Sequence, residues 1–326
     1  MTHILVAGKI HPSGIALLEA SPDVTFDYVE DITEESYRPL IGKADALVIR
    51  TQPLSAETVA QGDRLKIVSR HGVGYDAVDL QALNDKGIAL TIVGDVNSIS
   101  VAEHGMMMLM AAAKRAVLAH ASTTNGNWGW RSSLEAVELH GKRLLIVGYG
   151  RIGRHLAHMA SAFGMQIRAC DPFLERQGWP KDAVASPCDL NTGLAWADMI
   201  SVNAPKTDRP LLGADEFARM KAGVILVNTA RGGVVDESAF IAALKSGQIS
   251  AAGIDVFEAE PPDASNELLT LDRVVLSPHI AGLTAEAGER TALASVQNVL
   301  DFFGGKIDPA LVINLASLKE LPKVAL

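Results

Sequence analysis

The apolar run Leu144-Leu145-Ile146-Val147 gives way at once to Gly148-Tyr149-Gly150-Arg151-Ile152-Gly153, and a helical stretch over residues 154–163 follows without a break. The spacing G-x-G-x-x-G alone arises too often by chance to carry weight. Set between a strand and a helix it becomes restrictive, because the backbone N–H groups of the loop then face an anion at the helix N-terminus. In that setting Gly148 permits the tight turn, Gly150 the close approach of a diphosphate, and Gly153 the packing of helix on strand. Asp171 stands at the end of the next strand candidate, where a carboxylate accepts hydrogen bonds from an adenosine ribose and repels a 2′-phosphate. That pattern selects NAD over NADP.

The strand before the glycine loop opens a series of βα units. Further candidates follow at residues 166–169, 199–202, 224–227, 250–254 and 274–276. Six strands in this half are what a doubly wound dinucleotide-binding sheet requires. The N-terminal part has the same rhythm, with strand candidates at 3–7, 24–28, 46–49 and 65–68 alternating with amphipathic stretches, and predicts a second parallel sheet. Between the two, a Met- and Ala-rich segment with no Gly or Pro from Met106 to Asn125 reads as one long helix capped by Ser98 or Ser100. A last helix runs from a Thr284 cap to Phe303, with Glu286 and Glu289 in its first turns. A chain of 326 residues exceeds what a single core usually serves. The expected architecture is two Rossmann-like α/β domains with doubly wound parallel sheets: residues 1–98 joined with 284–326, and residues 99–283.

Composition narrows the function classes. The net charge of −9 and the absence of a Lys/Arg cluster argue against nucleic acid as a partner. Cys170 and Cys188 form no C-x-x-C or paired framework, which suits a reducing, cytoplasmic setting. The start lacks a basic region followed by a long apolar stretch, and the run at residues 106–113 is cut off by Lys114 and Arg115, so neither a signal peptide nor a membrane span is expected. His155 and His158 lie three apart on a helix without an acidic or thiol companion, and no metal site is expected there. Trp128 and Trp130 are expected to pack after the long helix.

Three polar residues fall at the ends of late strands, where open α/β sheets collect their ligands: Arg231, Glu260 and His279. Oxidising a 2-hydroxy acid needs a base to take the hydroxyl proton as hydride leaves the same carbon, and imidazole suits that work. A carboxylate such as Glu260 would orient the ring of His279. A planar guanidinium such as Arg231 binds a substrate carboxylate in bidentate fashion.

The order of His71-Gly72-Val73-Gly74-Tyr75-Asp76 and the stretches 97–104, 148–153, 228–236, 253–261 and 277–282 resembles the D-isomer-specific 2-hydroxyacid dehydrogenase family, in its phosphoglycerate dehydrogenase and hydroxypyruvate reductase branch. The resemblance implies a discontinuous substrate domain, a central NAD domain, a cleft between them and a homodimer. It makes Arg231 the anchor of a small 2-hydroxy or 2-oxo acid, His279 the acid/base and Glu260 its partner. It places Asp255 against the nicotinamide carboxamide, with Ala204, Thr229, Ala230, Ala281 and Gly282 along the nicotinamide and Arg151, Ile152 and Asp171 around pyrophosphate and adenosine. Backbone amides around Val73 and Gly74 are implied to cradle the substrate carboxylate, and Arg50 matches a basic substrate-domain residue of phosphoglycerate-using relatives. The chain stops soon after Val312-Ile313-Asn314, so the small regulatory domain of many serine-pathway enzymes is not expected. The alternative of another class is an NAD-sensing scaffold, like the corepressors of this family.

Overall fold

Both sheets of the protein are parallel, and their inner strands are buried on both faces. A parallel sheet is covered by helices on each side, so its strands read as continuous runs of Val, Ile and Leu. The computed structural model describes residues 1–318. In the first sheet β1 (Thr2–Ala7), β2 (Val24–Val29), β3 (Ala46–Ile49), β4 (Ile67–Arg70) and β5 (Ala89–Thr91) lie in the order β2-β1-β3-β4-β5. In the second, β6 (Arg143–Val147), β7 (Gln166–Cys170), β8 (Ser186–Pro187), β9 (Met199–Val202), β10 (Val224–Asn228), β11 (Ile249–Ile254) and β12 (Val274–Leu276) lie in the order β12-β11-β10-β9-β6-β7-β8. Each order reverses once, between β1 and β3 and between β6 and β9. Such a reversal leaves a crevice beyond the carboxyl ends of the two strands.

The chain divides into two units, Met1–Asn97 with Thr284–Leu326 and Ser98–Leu283. Residues 319–326 of the segment expected at 284–326 lie outside the described residues. In the first unit Leu5 and Ala7 of β1 join one core, while Ile4 and Val6 face another that Ala292, Val296, Val299 and Phe302 of the last helix complete. Burying each of those larger side chains is worth roughly 1.5–3 kcal/mol. Asn314 reinforces the return of the chain by accepting from Leu90 N–H (2.9 Å) and donating to Ile88 O (2.9 Å). In the second unit Leu145 and Val147 of β6 face the core shared with Phe217 and Phe240. Leu144 and Ile146 face the helices Ser98–Ala113 and Arg151–Ala162.

Several sequence expectations change. The single long helix is two, Ser98–Ala113 and Ala116–Thr124, because Arg115 takes a left-handed conformation at φ +53°. Its buried guanidinium donates from Nη1 to Ser250 O at 2.7 Å, a bond that holds the break in place. Strands β5 and β8, of three and two residues, were absent from the sequence pattern. Trp128 does not pack after the helix: it is 68% exposed.

His71 is the most perturbed imidazole of the first unit. Burial, then the positive charges of Arg50 and Arg70, push its pKa down from 6.5 to about 4, and its Nε2 has no hydrogen-bond partner among the described residues. Below pH 6.5 the unfolded chain therefore binds a proton that the folded chain refuses, so stability is full above that pH and falls as pH drops toward 4. The loss amounts to about 3 kcal/mol. Asp27, lowered by its hydrogen bond from Lys43, acts only below about pH 4. Urea titrations of His71→Phe and wild type between pH 7 and 4 should show a markedly flatter dependence in the variant; parallel curves would refute the assignment.

Candidate active site

The glycine loop is built at the reversal of the second sheet. Gly148 follows β6 at φ +93°, and a Cβ there would lie 2.8 Å from the Asn203 carbonyl carbon beyond β9. A Cβ on Gly153 would lie 2.3 Å from Gly148 O, so only glycine lets the helix Arg151–Ala162 sit on the loop. Gly150 differs: a Cβ there meets nothing within 4 Å, and as N-cap it supplies no side-chain bond to the first turn. The helix N-terminus thus presents open space and backbone donors, which fit a dinucleotide diphosphate. Arg151 is exposed and Ile152 half-buried at this end.

Asp171 stands at the end of β7 and is already employed. Its Oδ1 accepts from Phe173 N–H (3.0 Å) and Leu174 N–H (3.1 Å), capping the helix Pro172–Gln177, and its Oδ2 accepts from Tyr149 N–H (2.9 Å). Oδ2 keeps one lone pair for a ribose hydroxyl. The carboxylate also ties the glycine loop to the neighbouring strand. The Asp-Pro pair, cap and first helical residue, was a readable signal for this second duty.

The three candidate reacting groups come from the ends of β10, β11 and β12; Glu260 and His279 are in direct contact, and the loop that carries Arg231 lies against the loop that carries Glu260. A Cβ on Gly232 would fall 1.7 Å from Phe257 O, so the loop carrying Arg231 lies directly on the loop after β11. Phe257 N–H donates to Glu260 Oε1 at 3.0 Å, and Glu260 Oε2 is 2.7 Å from His279 Nδ1. A carboxylate only accepts, so His279 carries a proton on Nδ1. His279 is half exposed and its backbone is left-handed at φ +53°. Arg231 is held by Nη1 donating to Ala230 O at 2.7 Å and by Asn228 Nδ2 donating to its carbonyl at 3.1 Å. Gly232 was not anticipated from sequence, although a glycine pair directly after a strand-end arginine marks a close backbone approach.

Asp255, fully buried after β11, accepts from the Ser277 hydroxyl, from Ile280 N–H at 2.9 Å and from Ala281 N–H at 3.0 Å. Its carbonyl accepts from His279 N–H at 2.8 Å. Thr229, Ala230 and Ala281 are buried around these strand ends, and Ala204 and Gly282 are half-buried. In the first unit, Arg50 follows β3 and Val73 and Gly74 follow β4, all half-buried. Among the described residues no cluster of three or more His, Cys, Asp or Glu is arranged to hold a metal, and no helix is long and apolar enough to cross a membrane.

This geometry has close counterparts. Residues 106–281 match the family model for the D-isomer specific 2-hydroxyacid dehydrogenase, NAD binding domain. The chain belongs to the D-isomer-specific 2-hydroxyacid dehydrogenase family. It is 36% identical over 99% of its length to a D-3-phosphoglycerate dehydrogenase of Methanocaldococcus jannaschii, of which it spans 61%. It is 38% identical over 86% of its length to a hydroxypyruvate reductase of Thermotoga maritima, covering 91% of that protein. A D-lactate dehydrogenase from Aquifex aeolicus, solved with NAD and lactic acid, superposes with a TM-score of 0.83 at 27% identity, covering 95% of this chain and 98% of that one.

The two inner glycines predict opposite outcomes on heating. Gly153→Ala forces backbone apart and should cost at least about 1–3 kcal/mol, lowering Tm by several degrees. Gly150→Ala should melt within a degree or so of wild type. Differential scanning fluorimetry of the two variants decides; equal Tm values would refute the packing account of Gly153.

Proposed function

We propose that the protein is an NAD-dependent D-2-hydroxyacid dehydrogenase that moves hydride reversibly between NAD(H) and a small 2-hydroxy or 2-oxo acid, with phosphoglycerate-type and hydroxypyruvate- or glyoxylate-type acids as the leading substrates. The observation that supports this reading is the Glu260–His279 hydrogen bond at 2.7 Å, with Glu260 tied to Phe257 N–H and the Gly232 backbone lying against Phe257 O. We assign residues 99–283 to NAD binding and residues 1–98 with 284–326 to the substrate.

The bound nicotinamide supplies the hydride acceptor or donor. Gly148, Gly150, Arg151, Ile152 and Gly153 hold the diphosphate, Asp171 the adenosine ribose, and Ala204, Thr229, Ala230, Asp255, Ala281 and Gly282 the nicotinamide side. Arg231 receives the substrate carboxylate, with Arg50, Val73 and Gly74 as further substrate contacts. In oxidation, His279 Nε2 takes the hydroxyl proton as hydride leaves the same carbon; in reduction it returns that proton to the forming alkoxide. Glu260 fixes the tautomer and aim of the ring through Nδ1. A non-glycine residue held left-handed carries about 1–3 kcal/mol of strain, a cost that recurs where geometry serves function.

The proposal includes a cytoplasmic homodimer. Both cysteines are free thiols. Met107, Val117, Trp128 and Leu134, at 43%, 50%, 68% and 88% exposure, offer apolar surface on and after the helices that open the second unit.

NADH oxidation followed at the nicotinamide band with phosphohydroxypyruvate, hydroxypyruvate, glyoxylate and pyruvate tests the reading. Turnover is expected with at least one, and none with any would sink it. His279→Asn should lower kcat by roughly 10²–10⁴-fold without lowering Tm, since Asn tolerates the left-handed backbone. Unchanged turnover in that variant would overturn the acid/base role of His279, and NAD binding without turnover of any acid would point instead to the NAD-sensing scaffold.

A further inference from the structure

We propose that the amino end of the second sheet carries a binding site for a small tetrahedral oxyanion of the phosphate type, formed by the first turn of the helix Ala116–Thr124 together with Arg115 and Arg273. β11 and β12 begin here, whereas the glycine loop and the candidate reacting groups follow the carboxyl ends of their strands. The site is therefore at the opposite end of the sheet from the dinucleotide crevice and goes beyond the dehydrogenase reading.

The helix starts on the left-handed Arg115, whose side chain makes no cap bond to the first turn. The N–H groups of Ala116, Val117 and Leu118 make no hydrogen bond among the described residues. Ala116 and Val117 are exposed, so these donors are within reach of a ligand. An uncapped first turn concentrates backbone donors and partial positive charge at one point, the arrangement that receives an anion. All three residues line an open recess of about 190 Å³, and so do Arg115 and Arg273.

Arg115 supplies an independent observation. Only 8% of its side chain is exposed, and while Nη1 donates to Ser250 O at 2.7 Å, Nε has no hydrogen-bond partner among the described residues. Glu135 Oε2 stands 4.0 Å from that Nε, beyond hydrogen-bonding reach. Arg273 is exposed and makes no ion pair among the described residues. Burial, then the positive charge of Arg273, lower the pKa of Arg115, so the two guanidiniums feel each other. Asp272 is the one acid lining the recess, and the two arginines leave the lining net positive. Like charges beside a helix N-terminus repel until an anion enters. Guanidinium N–H groups and a fan of backbone N–H groups suit the several oxygens of a tetrahedral oxyanion better than the two of a carboxylate.

The test is the Tm of wild type, Arg273→Gln and Val117→Asp against inorganic phosphate, sulfate and acetate, with sodium chloride at matched ionic strength and NADH in excess to occupy the dinucleotide crevice. Arg115 is left intact because it also holds the helix break. Wild type should gain Tm with phosphate and sulfate beyond its gain with acetate or chloride. Arg273→Gln should need about tenfold more phosphate for the same gain. Val117→Asp, which sets a carboxylate on the uncapped turn, should melt above wild type without phosphate and gain little from it. Equal phosphate responses in all three proteins would reduce the effect to general stabilisation by excluded salts and overturn the site. Val117 also belongs to the apolar surface offered for dimerisation. No phosphate response in wild type, with a dimer in sedimentation velocity that Val117→Asp splits, would give the recess to a second copy and overturn the site equally.

Discussion

A carboxylate sealed from water is costly unless its oxygens are met by donors, and the second unit is organised around satisfying one. Asp255 draws a serine hydroxyl and two consecutive backbone N–H groups onto its side chain, while its own main chain gives a proton to Asn228 O at 3.1 Å and takes one from His279. Those bonds bind the ends of β10, β11 and β12 to one residue. They also oblige the loop after Pro278 to turn back on itself, which is why an imidazole can sit in a conformation that a non-glycine residue rarely adopts. The placement of Glu260 and His279 is secondary to that anchor.

The same physical solution appears at the reversal point of each sheet. After β6, Gly148 clears the Asn203 backbone; after β1, Gly8 at φ +96° clears Gln52 and the Arg50 side chain beyond β3. In both places the chain must leave one strand beside another strand that departs the opposite way, and a side chain would fill the crevice. The two crevices differ in what surrounds them. The second has a helix N-terminus and an acidic strand end, whereas the first has Arg50 and Arg70 near a buried, neutral imidazole.

Much of this was legible in the sequence because it rests on local pattern. Continuous apolar runs mark the buried strands, and the glycine loop and Thr284 announce a turn and a cap by residue type. What was not legible depends on partners distant in the chain. No Gly or Pro marks the break at Arg115, which is held by a guanidinium reaching Ser250 O, 135 residues away. β8 is too short to show a period and exists because β7 offers it an edge. Arg231, Glu260 and His279 could be singled out by their strand-end positions. That Gly232 lies against Phe257, or that His104 reaches Ser277 173 residues further on, needed coordinates.

The discontinuity of the first unit has a bearing on how the molecule is made. One face of its sheet is covered in large part by Ala292, Val296, Val299 and Phe302, all synthesised after the entire second unit. During that interval Ile4, Val6, Ala46, Val48 and Ile67 have only part of their native cover, from Ile10 and Leu18, although every strand they belong to has been translated. The inserted unit is therefore complete in sequence while its neighbour still waits for its last helix, and exposed parallel strands of this kind are the ones most prone to aberrant association. A contiguous arrangement of the same two sheets would not impose that delay between making the strands and making the helix that completes their cover.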